Sequence, residues 1–168
     1  MDMNNNDILI RLRYALDIKD RDMVRIFQFG DVNITEDEVQ KMLTKTNERD
    51  LEENIYELRC DNSTLEGFFN GLIVYKRGKQ DPKPGQPERP PKMIKNSSSV
   101  NNVMLKKVKI ALQLTTEDML AIWEAAGVDV TKGELSALLR KEGHSNYRKC
   151  GDRYARNFLK GLGFRYRG

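Results

Sequence analysis

Two cysteines and one histidine are the residues of this chain best suited to nucleophilic or metal chemistry. A thiolate attacks a carbonyl, or holds zinc, only when a base or further ligands stand within reach. His144 and Cys150 lie six residues apart in GHSNYRKC, with no second His or Cys near them in the chain. That is too few ligands for a zinc centre. A Cys150–His144 nucleophile is disfavoured too, because Cys60 opens a closely similar segment that has no histidine. Both cysteines are expected to be small buried side chains, with a redox pair as the lesser alternative. The stretch DVNITEDE (31–38) opens like a calcium loop, but its twelfth position counted from Asp31 is Met42, which cannot ligate calcium. No GxGxxG or GxxxxGK[ST] string occurs to cradle a phosphate. No catalytic residue, cofactor or metal is therefore assigned, and the chain is expected not to be an enzyme. An enzyme site in a cleft between two halves is the remaining catalytic alternative.

Basic side chains carry the other chemistry. Lys106, Lys107 and Lys109 are closely spaced, and Arg153, Arg156, Lys160, Arg165 and Arg167 alternate with Tyr154, Phe164 and Tyr166. At helical spacing Arg153, Arg156 and Lys160 share one face. Such a stripe neutralises phosphates while the aromatics stack on bases. Three basic pairs recur between the halves: Arg11 with Lys107, Arg13 with Lys109, and Arg77 with Arg167. These eleven residues form the candidate polyanion-binding set; the plainer reading is a solvated helix face and a frayed tail. Charge is uneven along the chain. Residues 1–78 hold 11 Lys+Arg against 16 Asp+Glu, and residues 101–168 hold 13 against 7. A polyanion-binding second half and two halves of complementary charge explain this equally well. A segment such as EDMLAIWEAAGVDVTKGELSALLRK could pass for a helix-turn-helix, but its second helix would present Glu134, and its counterpart Glu36, Asp37 and Glu38, to the phosphates.

The elements that hold these residues are written twice. Shifted by 96 residues, 5–43 aligns on 101–139 without a gap, with 12 of 39 positions identical; average residue usage gives roughly two or three. Shifted by 90, 60–78 aligns on 150–168, matching Cys60, Phe68, Gly71, Leu72, Arg77 and Gly78. The change of offset places a longer loop between residues 43 and 60. Residues 79–100 hold all five prolines and a serine run and read as a partly extended linker. The expected organisation is a helical repeat at 1–78, a linker at 79–100 and a second repeat at 101–168.

Each repeat has four apolar patterns at helical spacing and none with strand alternation. In the first they centre on Leu9 and Leu12, Met23 and Phe27, Val39 and Leu43, and Phe68 and Leu72. The expected fold is all-α, a tandem four-helix unit with its halves packed pseudo-symmetrically. Thr35 with Glu38, and Thr131 with Glu134, have capping-box spacing, with hydrophobic staples at Ile34–Val39 and Val130–Leu135. Thr115 is a good cap for the second helix of repeat two, whereas Lys19 is a poor one in repeat one. Gly30 and Gly127 read as terminators of the second helices. Asn5–Asn6 and Asn101–Asn102 read as caps of the first helices. A small residue for close helix approach is the reading of Gly71 and Gly161, which lie inside the fourth helices.

The stretches NDILIRLRYAL, FFNGLIVYKRG, LKKVKIALQL and RKCGDRYARNFLKGL resemble the bacterial YehS-like proteins, known as domain of unknown function 1456. The resemblance spans essentially the whole chain. It implies a small bacterial cytoplasmic protein with two copies of the domain, and it brings no catalytic residue, cofactor or substrate. The longest apolar stretches are too short to span a bilayer, and MDMNNND lacks the basic and apolar regions of a secretory signal. A cytoplasmic, non-enzymatic binding module is therefore expected, with a nucleic acid or ribonucleoprotein as partner. A protein adaptor or homodimer is the alternative.

Overall fold

The computed structural model describes residues 3–46, 53–79, 84–85 and 92–167. Among them, eight α-helices make two sets of four: α1 (Asn5–Ala15), α2 (Asp20–Phe29), α3 (Glu36–Leu43) and α4 (Asn62–Arg77), then α5 (Val100–Ala111), α6 (Thr116–Ala125), α7 (Lys132–Leu139) and α8 (Asp152–Tyr166). A 3-10 turn, Ser97–Ser99, leads into α5, and Lys45 and Tyr56 form an isolated antiparallel bridge. The expected all-α tandem fold is the one observed. Residues 80–83 and 86–91 of the proline-rich segment, and residues 47–52 of the longer loop, lie outside the described residues.

Local chemistry sets the helix ends. Thr35 and Thr131 accept from the backbone N–H of Glu38 and Glu134, whose carboxylates return the bond, and Thr115 and Asp118 do the same for α6. Each such cap is worth about 1 kcal/mol. Lys19 opens α2 with no side-chain bond. The ends of α1 and α5 are alike: Ile18 N–H donates to the Arg13 carbonyl and Leu114 N–H to the Lys109 carbonyl, both at 3.0 Å. Asp17 (φ 52°) and Gln113 (φ 53°) turn the chain there in the left-handed region. Burial of Ile18 and Leu114 offsets the strain.

The two glycines after the second helices do different work. Gly127 takes a left-handed φ of 81°, as a terminating glycine does, while Asp31, at 64°, fills that role in repeat one. Gly30 itself has φ −94°. It is small because a Cβ there would collide with the Gly67 carbonyl oxygen of α4. Repeat two holds Ala126 and Asn157 at those two places. Gly30 does terminate α2, as its C-cap, but close helix approach and not the turn is what requires a glycine there.

The fourth helices join the halves. α4 packs on α2 of its own repeat and on α5 of the other, and α8 packs on α6 and on α1. α1 and α8 run parallel. Met3 N–H donates to the Asp152 carboxylate at their starts (2.8 Å), and Arg167 lies over the Tyr14 ring at their ends (4.3 Å). A single apolar core results, with contributions from all eight helices. Its centres are repeat-equivalent ring pairs, Phe27–Phe68 at 5.1 Å and Trp123–Phe158 at 4.9 Å. Each buried ring stabilises the fold by roughly 1.5–3 kcal/mol.

Candidate polyanion-binding face and inter-repeat cleft

The exchange of fourth helices decides which basic side chains are left for a ligand. Arg13 is half-buried and pairs with Asp20 at 2.8 Å. Arg165 pairs with Asp118 at 2.9 Å. The hydrogen bonds Asp118 takes from the Thr115 backbone and side chain, with help from Arg165, hold its carboxyl below the ordinary value. Arg167 pairs with Asp17 at 3.1 Å, donates to the Tyr14 carbonyl and stacks on the Tyr14 ring. Lys107 is buried between the repeats beside Glu66, where desolvation lowers its pKa and the carboxylate opposes the shift. Burial takes Lys107 off any ligand-binding face, which corrects its place in the set; Arg13, Arg165 and Arg167 are engaged by acids of the fold, the last two while still exposed. Arg11 and Arg77 are exposed on α1 and at the end of α4, and Lys106 and Lys109 are half-buried on α5.

The outward face of α8 is different. Arg153 and Lys160 are exposed and Arg156 is half-buried. Ala155, Phe158, Leu159 and Leu162 turn the opposite face inward. Arg153 and Lys160 form no ion pair among the described residues. Phe164 is 52% exposed, and the Lys160 Nζ lies 5.8 Å from its ring centre. Tyr166 is exposed as well, while Tyr154 is half-buried, with its carbonyl accepting from the Trp123 indole N–H. The spacing reading of one shared face is correct for Arg153, Arg156 and Lys160, and α8 stays helical through Tyr166 where a frayed tail was the alternative.

The repeated asparagines are not caps. Asn4 caps α1, accepting from Asp7 N–H while Asp7 accepts in return, and α5 has Ser99 as its N-cap with no side-chain bond. Asn6 instead donates to the carbonyls of Met42 and Leu58 and accepts from Cys60 N–H. Asn102 donates to those of Leu138 and Arg148 and accepts from Cys150 N–H. Asn5 donates to the Cys60 carbonyl and Asn62, and Asn101 to the Cys150 carbonyl and Asp152. These ten bonds tie the end of the third helix, the loop ahead of the fourth helix and the first residue of the fourth helix to the start of a first helix. The segment Asn54–Tyr56 is held by Asp7, which accepts from Asn54 and from the Tyr56 hydroxyl. Burial, then this carboxylate, pushes the Tyr56 hydroxyl pKa up.

Cys60 and Cys150 are buried and free. Burial, with Asp61 or Asp152 beside them, pushes both thiols up to about 12. At pH 8 only about one in 10⁴ would be thiolate. A disulfide reagent at pH 8 is expected to label the folded protein far more slowly than the denaturant-unfolded chain, followed by released chromophore. Immediate labelling of either thiol in the folded protein would refute buried, inactive cysteines.

The tied loops wall a cleft of about 810 Å³ between the repeats. The starts of α1, α4, α5 and α8 surround it through Asn5, Asn62, Asn101 and Asp152. Arg59 and Lys149 also line it, and they occupy equivalent repeat positions, one residue before the cysteines. The sequence reading missed this pair; extending the second alignment by one residue finds it. It missed Glu66 too. That carboxylate is fully buried in α4 and accepts from the N–H groups of Met93 (2.7 Å) and Ile94 (2.9 Å), fastening the end of the linker.

The model of a family described as "Protein of unknown function (DUF1456)" matches residues 5–78 and again 101–168. The chain is 38% identical over 164 residues to the uncharacterized protein YehS of Escherichia coli (strain K12), covering 97% of this chain and 96% of that one. No solved structure matches it. Among the described residues no helix is long and apolar enough to cross a membrane.

Proposed function

Because the chain belongs to the DUF1456 family, with two copies of its domain, and the family brings no activity to adopt, we propose on physical grounds that it is a non-enzymatic binding protein that holds single-stranded nucleic acid on the outward face of α8. The observation that carries this is the row Arg153, Arg156, Lys160 and Phe164. It runs about 16 Å along one helix at 1.5 Å per residue. Cations meet phosphates there, and an exposed ring offers a base its face. The burial of both thiols supports a binding role over covalent catalysis. A cytoplasmic location, where RNA and ribonucleoproteins are at hand, fits the same reading.

Fluorescence anisotropy with a labelled single-stranded RNA tests it. Three phosphate contacts imply a log–log salt slope of about −2, hence roughly 20-fold weaker binding at 200 mM than at 50 mM salt. Lys160→Glu should weaken binding by about ten-fold or more, and Phe164→Ala by a similar factor through lost stacking. No binding at 50 mM salt, or binding indifferent to Lys160→Glu, would end the proposal. A protein partner or second copy is the competing reading, favoured by the exposure of Tyr14 (62%) and Phe164 (52%). Light scattering that shows a dimer weakened by Phe164→Ala would select it.

A further inference from the structure

The cleft between the repeats is separate from the outward face of α8 and has its own charge balance. Four charged side chains line it: Arg59, Lys149, Glu53 and Asp152. The two acids are occupied within the protein. Asp152 accepts from Asn101 through one oxygen and from Met3 N–H through the other, and Glu53 accepts from Asn4. The two cations form no ion pair among the described residues. They are exposed and come from the same position of each repeat, so each repeat contributes one cation to the lining of the cleft. The asparagine amides of Asn5 and Asn101 are committed to the loops. Hydrogen-bond donors left for a ligand include Arg59, Lys149, the Asn62 side-chain amide, the Ser97 hydroxyl and backbone N–H groups. Gly151 and Ser99, the N-caps of α8 and α5, make no side-chain bond to the first turn, so amides of those turns are further donors beside the two cations in a lining whose charges balance.

We propose that this cleft binds a small phosphorylated molecule, up to nucleotide size, with its phosphate between Arg59 and Lys149. A volume of about 810 Å³ lies within the usual range for small-ligand sites. Phosphate matches the donors better than carboxylate. They come from several directions, and a tetrahedral group presents oxygens to all of them, whereas a carboxylate presents two in one plane. Ile55, 58% exposed at the rim, and Tyr56 provide an apolar wall for the rest of the molecule.

Pyrophosphate and ADP are the probes, titrated into the full chain at constant ionic strength by calorimetry, with sulfate as control. Saturable binding tighter than about 1 mM is expected for at least one probe. The surface double variant Arg59→Ala, Lys149→Ala should keep the parent melting temperature and bind at least about ten-fold more weakly. Lys160→Glu should leave this binding unchanged, although it removes RNA binding if the α8 reading is right, so the two proposals fail separately. Neither probe binding, sulfate binding equally well, indifference to the double variant, or equal loss with Lys160→Glu would each overturn the proposal.

Discussion

Gly71→Ala is expected to destabilise the chain by about 3 kcal/mol or more, and Gly161→Ala by a similar amount. Both glycines lie inside the fourth helices, where alanine would ordinarily gain about 1 kcal/mol in helix propensity. That gain is outweighed by a collision. A Cβ at Gly71 would fall well inside the contact radius of the Ile26 carbonyl oxygen in α2, and one at Gly161 would meet the Ile122 carbonyl of α6. Both obstacles are helix backbone, which cannot turn aside as a side chain can. The helices must separate, and the ring contacts Phe27–Phe68 and Trp123–Phe158 sit in those same interfaces. Overpacking of this kind costs typically 1–3 kcal/mol and more when backbone must move. For a chain of this size it corresponds to a fall in Tm of roughly 10 °C. Urea denaturation of the single variants measures it. A variant as stable as the parent would show that these glycines are not there for close approach.

What could be read in advance depended on how far apart the interacting residues lie. Capping boxes were legible because both partners sit within four residues, as at Thr35 and Glu38. The four helices of each repeat were legible because apolar spacing reports burial whatever the partner. Lys107 was not. A lysine on a helix reads as surface, and its burial depends on α4 of the other repeat, which crosses over to cover α5. Asn6 and Asn102 were misplaced for a similar reason. At the start of a helix asparagine has a local use as a cap, and nothing local distinguishes that from bonds to carbonyls 36 and 52 residues away, as for Asn6. The glycines after α2 and α6 show the same limit in miniature, since Gly30 answers to Gly67 in another helix and only Gly127 answers to its own turn.

The charge asymmetry resolves into two parts. Arg167 with Asp17, and Lys107 beside Glu66, each join a cation of the second repeat to an acid of the first. Complementary halves, one of the two expectations of equal standing, thus account for a portion of it. Arg153 and Lys160 on α8, and Arg59 and Lys149 in the cleft, are not absorbed in this way. The α8 face and the cleft are distinct places, so a ligand on one can be lost without the other.

Asn102→Ala is expected to cost about 3–5 kcal/mol, and Asn6→Ala a comparable amount. Each substitution leaves one buried N–H, that of Cys60 or Cys150, and two carbonyls without the side-chain partner they have now. An unsatisfied buried group costs about 1–3 kcal/mol, and some of the carbonyls will recover a bond to water. Asn102→Asp should be little better, because a carboxylate can still accept from Cys150 N–H but cannot donate to the Leu138 and Arg148 carbonyls. Asn101→Ala should cost less, since Asn101 makes two bonds and accepts none from Cys150 N–H. The two sites serve different loops, so their effects should add. The sum, about 6–10 kcal/mol, is comparable to the whole stability of a domain. The double variant Asn6→Ala, Asn102→Ala is therefore expected not to fold at 25 °C, as read by circular dichroism. In Asn102→Ala alone, Cys150 should become reactive to a disulfide reagent while Cys60 stays protected, because the loosened loop is the one ahead of α8. Equal reactivity of both thiols, or a folded double variant of near-parent stability, would show that the asparagines do not anchor the repeat loops.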